Sequence, residues 1–439
     1  MHEQNPWWKD ERLISEDPDF RRWSESGVKW IPDFLDQLPL EPYSLSFIFG
    51  PRQVGKTTSL KLLIERLLRS GVNPKAIFYY RCDKLSDYKE LDELLERYLA
   101  LKKAEGVESS YILLDEITFP KEWYRSIKYR IDSGHFSKDV LVLTGSWSMY
   151  VRREVETFPG RRGHGKDIIV HPLSFRDFLK VLNPQIYHKI PELDPELKRI
   201  KEVCFKTLPW MDELNEVFRK YLECGGFPLS VKSMLTEGKI SAEAKEAILS
   251  SFLSDLAKLR RSEGLAKRVL KALIEKLPSP LSLNGIAREF EVGSHKTVFY
   301  FLELFEKMFL AKSVYFVNPN KMLEVYRKER KVHLTDPLYY RVFSEWCLTE
   351  MPSENALVES VVTTHLSRRF RVGYWRNRTE IDVVLQEMGL GLEVKWGEKA
   401  EVTRRKIGKI KETITLTRKE FREEPLAVPV SVFLACLEV

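Results

Sequence analysis

The sequence predicts an α/β fold: a parallel sheet covered by helices, then an α-helical region, then a small mixed α/β module. Three observations predict it. Between residues 45 and 180, short apolar runs (LSFIF, AIFYY, YILLD, DVLVLTG, IIV) alternate with amphipathic stretches such as TTSLKLLIERLL and LDELLERYLALKK, the pattern of strands joined by crossover helices. Helical runs interrupted by proline then take over to about residue 260, and three short helices with a hairpin edge follow over 265–317. After residue 354 an apolar helical run, NALVESVVTTHLSRRF, precedes two alternating strands, RTEIDVVLQ and GLGLEVKW.

Residues 1–40 form a polar leader rich in tryptophan (Trp7, Trp8, Trp23, Trp30), with Pro32 and Pro39 before the first strand, and are expected to pack on the domain that follows. Residues 41–183 carry the parallel sheet, and residues 184–262 read as a lid-like helical annex through LPWMDELNEVFRKYLECGGFPLSV. Residues 263–350 hold three short helices (AKRVLKALIEKL, LSLNGIAREFEV, HKTVFYFLELFEKMFL) and a hairpin edge, AKSVYFV. Their spacing resembles a winged helix-turn-helix, with Val292 and Gly293 at the turn and His295, Lys296 and Thr297 opening the recognition helix. Residues 351–439 form the mixed module, whose two strands are followed by a basic helix over 404–411 and a final apolar strand.

Composition sets outer limits. The 439 residues are 43% hydrophobic and 31% charged, too apolar for a disordered chain and too charged for a membrane protein. No run approaches a membrane span, and MHEQNPWWKDERL has no signal-peptide character, so no membrane partner and a cytoplasmic location are expected. Five cysteines without a CxxC pair predict buried thiols. Lys plus Arg (71) exceeds Asp plus Glu (64) by 7, which permits a polyanionic partner without requiring one.

The strongest chemical signal is Gly50-Pro51-Arg52-Gln53-Val54-Gly55-Lys56-Thr57, which fits G-x-x-x-x-G-K-[ST] between a strand and a helix. Glycines let backbone N–H groups curl around a β-phosphate, and the helix N-terminus adds positive potential. ATP is therefore the expected ligand of residues 50–57 and Thr58, with Lys56 on the β- and γ-phosphates and Thr57 ligating Mg²⁺. Tyr111-Ile112-Leu113-Leu114-Asp115-Glu116 is a strand ending in two carboxylates, Asp115 for the Mg²⁺ shell and Glu116 to orient or deprotonate the attacking water. AIFYY intervenes, which fits the class where another strand separates the loop strand from the carboxylate strand. Ser146, in Leu143-Thr144-Gly145-Ser146, stands at a strand end as a candidate γ-phosphate sensor. Arg161 and Arg162, in Pro-Gly-Arg-Arg-Gly, stand where a charge-neutralising arginine acts in cis or in trans, or where arginines are solvated or face DNA.

Together GPRQVGKTT, YILLDEI, LTGS, the GRR turn followed by HPLSFRDFL, YLECGGFP and LTDPLYYRVF resemble a family of archaeal and bacterial AAA-type ATPases. The resemblance runs from about residue 41 to 400. It implies a P-loop NTPase fold, ATP hydrolysis, a winged helix, assembly into an oligomer, and a C-terminal domain similar to PD-(D/E)xK nucleases.

The nuclease-like reading rests on four positions. Glu393 and Lys395 share one face of a strand, and a hairpin through Gln386–Gly391 brings Asp382 across to them. Asp382 and Glu393 would bind Mg²⁺ or Mn²⁺, Lys395 would position water or neutralise the scissile phosphate, and Glu359 on the preceding helix would complete the set. Ile381 replaces the proline of the pattern. Arg368, Arg369, Arg371, Arg376 and Arg378 before the site, and Arg404, Arg405, Lys406, Lys409 and Lys411 after it, are placed to track phosphates, with Tyr374 and Trp375 to stack. DNA is the expected partner, with an ATP-controlled nuclease as the leading function. The alternative is an ATP-dependent switch whose nuclease-like tail only binds.

Overall fold

All seven residues of the first strand, β1 (Ser44–Gly50), are buried, as an apolar run must be when helices cover both faces of a sheet. It joins β2 (Ile77–Arg81), β3 (Tyr111–Asp115), β4 (Val140–Ser146) and β5 (Asp167–Ile169) in a parallel sheet ordered β2-β3-β4-β1-β5. β4 thus separates the loop strand β1 from the carboxylate strand β3, as the sequence predicts. The computed structural model describes residues 1–146, 158–194, 196–397 and 401–439, with Ser146 described in its backbone alone. They divide into two units, Met1–His171 and Pro172–Val439.

Helix α1 (Lys56–Arg69) leaves the loop after β1, and Leu60, Leu63, Ile64 and Leu67 recur at helical spacing to form its buried stripe. Gly55, at φ 88°, takes the left-handed turn that starts the helix. The leader covers the outer edge of β2, where backbone groups would otherwise lack partners. Asn5 brackets Tyr79, donating to its carbonyl at 2.9 Å and accepting from its N–H at 2.7 Å. The Trp7 and Trp8 indoles both donate to the Ile77 carbonyl, and Gln4 accepts from the Arg81 N–H. Side chains here do the work of an additional strand.

The second unit starts with helices and ends in a mixed sheet. Helices α2 (Glu263–Lys276), α3 (Leu283–Glu289) and α4 (His295–Lys307) are followed by β6 (Ala311–Asn318), β7 (Leu323–Glu324) and β8 (Arg330–Leu334). Ser294 caps α4 by accepting from the Thr297 N–H at 3.1 Å, after Gly293 at φ 90°. Next come α5 (Glu354–Ser367), β9 (Val372–Arg376), β10 (Glu380–Leu385), β11 (Leu390–Lys395), β12 (Glu412–Thr417), β13 (Ala427–Pro429) and α6 (Val430–Cys436). The strand order is β13-β12-β11-β10-β9-β6-β7, with β8 on β6. Strands on either side of residue 350 therefore share one sheet, through the parallel pair β6 and β9. Val317 packs with Ile381, Val384 and Ile410, so one core serves hairpin and tail.

Two local expectations fail. Residues 404–411 form no helix but an irregular segment closed by an Ile407–Ile410 bridge, because its two isoleucines are drawn to that core. The final apolar run is only briefly a strand and then a fully buried helix, α6. A short run that is apolar on every side carries no period to tell the two apart.

Asp336 ties YLECGGFP to LTDPLYYRVF. Its carboxylate accepts from the Gly226 and Leu338 N–H groups, both at 2.9 Å. A Cβ on Gly225 would fall 1.9 Å from it, so the double glycine is a steric requirement.

Candidate nucleotide site and carboxylate cluster

The parallel register sets Gly50 beside Ser146 and Arg81 beside Asp115, so the C-terminal ends of β1 to β4 collect the chemistry at one edge. Asp115 is fully buried and held by three hydroxyls. Thr57 donates to its Oδ2 at 2.7 Å, Tyr79 donates to the same oxygen at 3.1 Å, and Thr144 donates to Oδ1. Thr144 Oγ1 also accepts from the Glu116 N–H at 3.1 Å. Lys56 is buried and folds onto the carbonyls of Gly50 (3.0 Å) and Pro51 (2.7 Å).

Glu116 sits at φ 53°, a left-handed position costly for a residue with a Cβ and frequent at functional sites. Its Oε2 is buried with no hydrogen-bond partner among the described residues. Burial pushes its pKa above the ordinary range; Lys56, Arg52 and Arg81 oppose this, and Asp115 adds to it. A strained, desolvated carboxylate beside a metal-type aspartate is poised for proton chemistry.

The residues fit Mg²⁺ and a nucleotide triphosphate. Thr57 and Asp115 are hydrogen-bonded to each other at the loop, the lysine stands among loop carbonyls, and the Glu116 Oε2 has no hydrogen-bond partner among the described residues. The Ser146 side chain lies outside the described residues. Arg161 is held away from this network in a bidentate pair with Asp132, Nη2 to Oδ2 at 3.2 Å, and Arg162 pairs with Asp167. Sequence reasoning missed Tyr79 and passed over Thr144 for its neighbour. A tyrosine in an apolar strand gives no local sign of what it touches.

The second unit brings Glu359 and Asp382 together, around a cation the sequence reading left out. Lys331, on β8 and 1% exposed, lies 2.7 Å from Glu359, 2.6 Å from Glu380 and 3.6 Å from Asp382. Burial works against its charge, but Glu359, Asp382 and Glu380 outweigh it and hold its pKa above the ordinary lysine value. A register shift between Ile381 and Val384 marks a bulge at Asp382, whose Oδ2 accepts the Val394 N–H at 2.8 Å. Glu393 is buried and bound by Arg405 at 2.7 Å, while Lys395 is exposed. This donor set does not fit a divalent metal. Lys331 and Arg405 already occupy it, and among the described residues no three His, Cys, Asp or Glu groups stand close enough to hold a metal ion.

The described cysteines are all free and buried. No described helix is long and apolar enough to cross a membrane.

Residues 43–179 match the family described as AAA domain, and residues 215–341 match a Domain of unknown function (DUF8612). No curated protein matches the chain. Among solved structures it is similar to the ORC2 protein of Aeropyrum pernix in its ADPNP-ADP complexes, at 11% identity over 78% of this chain and 99% of that one, with a TM-score of 0.39. It is also similar to Cdc6p of Pyrobaculum aerophilum, at 14% identity over 77% of this chain and 99% of that one, with a TM-score of 0.29. By the family match and the strand order, residues 43–179 carry a P-loop NTPase fold similar to that of AAA domains.

Proposed function

We propose that this chain hydrolyses ATP and uses the nucleotide cycle to control a DNA-binding C-terminal unit. The observation that carries the proposal is the hydroxyl-bound Asp115 beside the Glu116 Oε2, which is buried without a hydrogen-bond partner among the described residues, at the mouth of the glycine loop. The loop N–H groups and Lys56 bind the phosphates, and Lys56 leaves its loop carbonyls to do so. Thr57 and Asp115 would hold Mg²⁺, which when bound supplies charge neutralisation at the phosphates. Glu116 orients a water and takes its proton, a task its raised pKa suits.

DNA binding is supported by the start of α4, where His295 and Lys296 are exposed, and by the hairpin, where Lys321, Arg327 and Lys328 are exposed beside Tyr326. The cation-filled carboxylate cluster favours a tail that binds without cutting. ATP turnover measured with and without DNA tests the proposal: stimulation by DNA and loss in Glu116→Gln are expected. A wild type that never turns over ATP sinks it.

A further inference from the structure

The leader reaches the catalytic edge through three side chains in series. Asp17, at the start of the leader helix Pro18–Ser24, pairs with Lys61 of α1 at 2.9 Å, and both are buried. The Lys61 ammonium lies 3.3 Å from the ring centroid of Tyr79. The Tyr79 hydroxyl donates to Asp115. Asn5 fixes the Tyr79 backbone from the other side. Nothing in this series is needed merely to fill space, since a buried lysine must be desolvated and is tolerated only where partners replace water. A cation over the face of a phenol strengthens its O–H as a donor, so Lys61 acts on Asp115 through the ring.

We propose that Tyr79, held by Lys61 and Asp17, is the positioning residue that sets the orientation of the metal-binding carboxylate of Asp115, and that the leader is therefore a working part of the nucleotide site. The proposal rests on the ATPase reading and deepens it. Groups that orient a metal ligand without touching the metal commonly govern its affinity by about tenfold or more.

The experiment is Mn²⁺ binding, read by electron paramagnetic resonance, to the full chain loaded with a non-hydrolysable ATP analogue. Wild type is compared with Tyr79→Phe, Asp17→Asn and the double variant, and nucleotide affinity without metal is measured in parallel with a fluorescent analogue. Tyr79→Phe is expected to weaken Mn²⁺ about tenfold and leave metal-free nucleotide affinity unchanged. Asp17→Asn should move Mn²⁺ affinity in the same direction, and the double variant should be no weaker than Tyr79→Phe alone. Wild-type Mn²⁺ affinity in Tyr79→Phe, or independent effects that multiply in the double variant, would overturn the inference. If wild type binds no nucleotide at all, the ATPase reading itself fails, a result distinct from either of those. Both substitutions are nearly isosteric, but Asp17→Asn unpairs the buried Lys61, so thermal melts identify any loss of folding before affinities are compared.

Discussion

A carboxylate that must accept a proton is tuned by how little water surrounds it, and Glu116 has lost most of its own. With Glu116 as the proposed base, its raised pKa means the ionised form is gained on the alkaline side of the ordinary range, so turnover should rise with pH and then level off. If Glu116 is the base we propose, Glu116→Gln removes it while keeping the shape, and a loss of about 10²- to 10⁴-fold in turnover with nucleotide still bound is expected in a steady-state assay. Lys331 shows the reverse situation, a buried cation serving three carboxylates. Lys331→Met strands those negative charges and should cost about 3 to 5 kcal/mol in urea unfolding. Adding Glu359→Gln to it should recover part of the loss. Burial likewise pushes Asp336 up to about 6 from 3.8. A raised carboxyl gives stability that is complete below the unfolded value and lost as pH rises through the folded one. Comparing wild type with Asp336→Asn by urea unfolding at pH 4 and pH 7 should favour wild type more at the lower pH, by up to about 3 kcal/mol. A pH-independent difference would contradict that.

Single elements carry their own consequences. Deleting residues 1–9 strips Asn5, Trp7 and Trp8 from β2 and leaves Ile77 and Tyr79 with open backbone groups. An exposed parallel edge recruits other strands, so the truncated chain is expected to self-associate with rising concentration in light scattering. Ser294→Ala at the head of α4 should cost about 1 kcal/mol through the lost cap. The glycine loop, β1 and α1 were legible in the sequence because a left-handed turn between strand and helix demands a local signature. Helices α2 to α4 were legible for the same kind of reason, a period that shows which face is buried. Tyr79, Lys61 and Lys331 were not, since each reads as an ordinary strand, helix or hairpin residue, and only the fold supplies partners that lie far away along the chain. The basic run at 404–411 misled because charge density imitates a solvated helix, while Ile407 and Ile410 decide where the segment packs.

For the molecule as a whole, the excess of 7 basic residues matters only where it is concentrated. DNA affinity that falls steeply with added salt, and falls further in Lys296→Ala or Arg327→Ala, is expected in fluorescence anisotropy. Incubating single-stranded, duplex and branched DNA with wild type and Lys395→Ala, with Mg²⁺ or Mn²⁺ and with or without ATP, should give binding without cleavage by either protein. Cutting by wild type alone would show that a metal displaces Lys331 and would restore the nuclease reading. The parallel pairing of β6 with β9 also bears on how such a chain can change over generations. A cut near residue 350 would leave a raw strand edge on each fragment and split a core that both share. The segment of α2 to β8 cannot then be traded between genes as a free cassette. It and the tail must be inherited, lost or remodelled together, so changes in the surface of the one are constrained by the packing of the other.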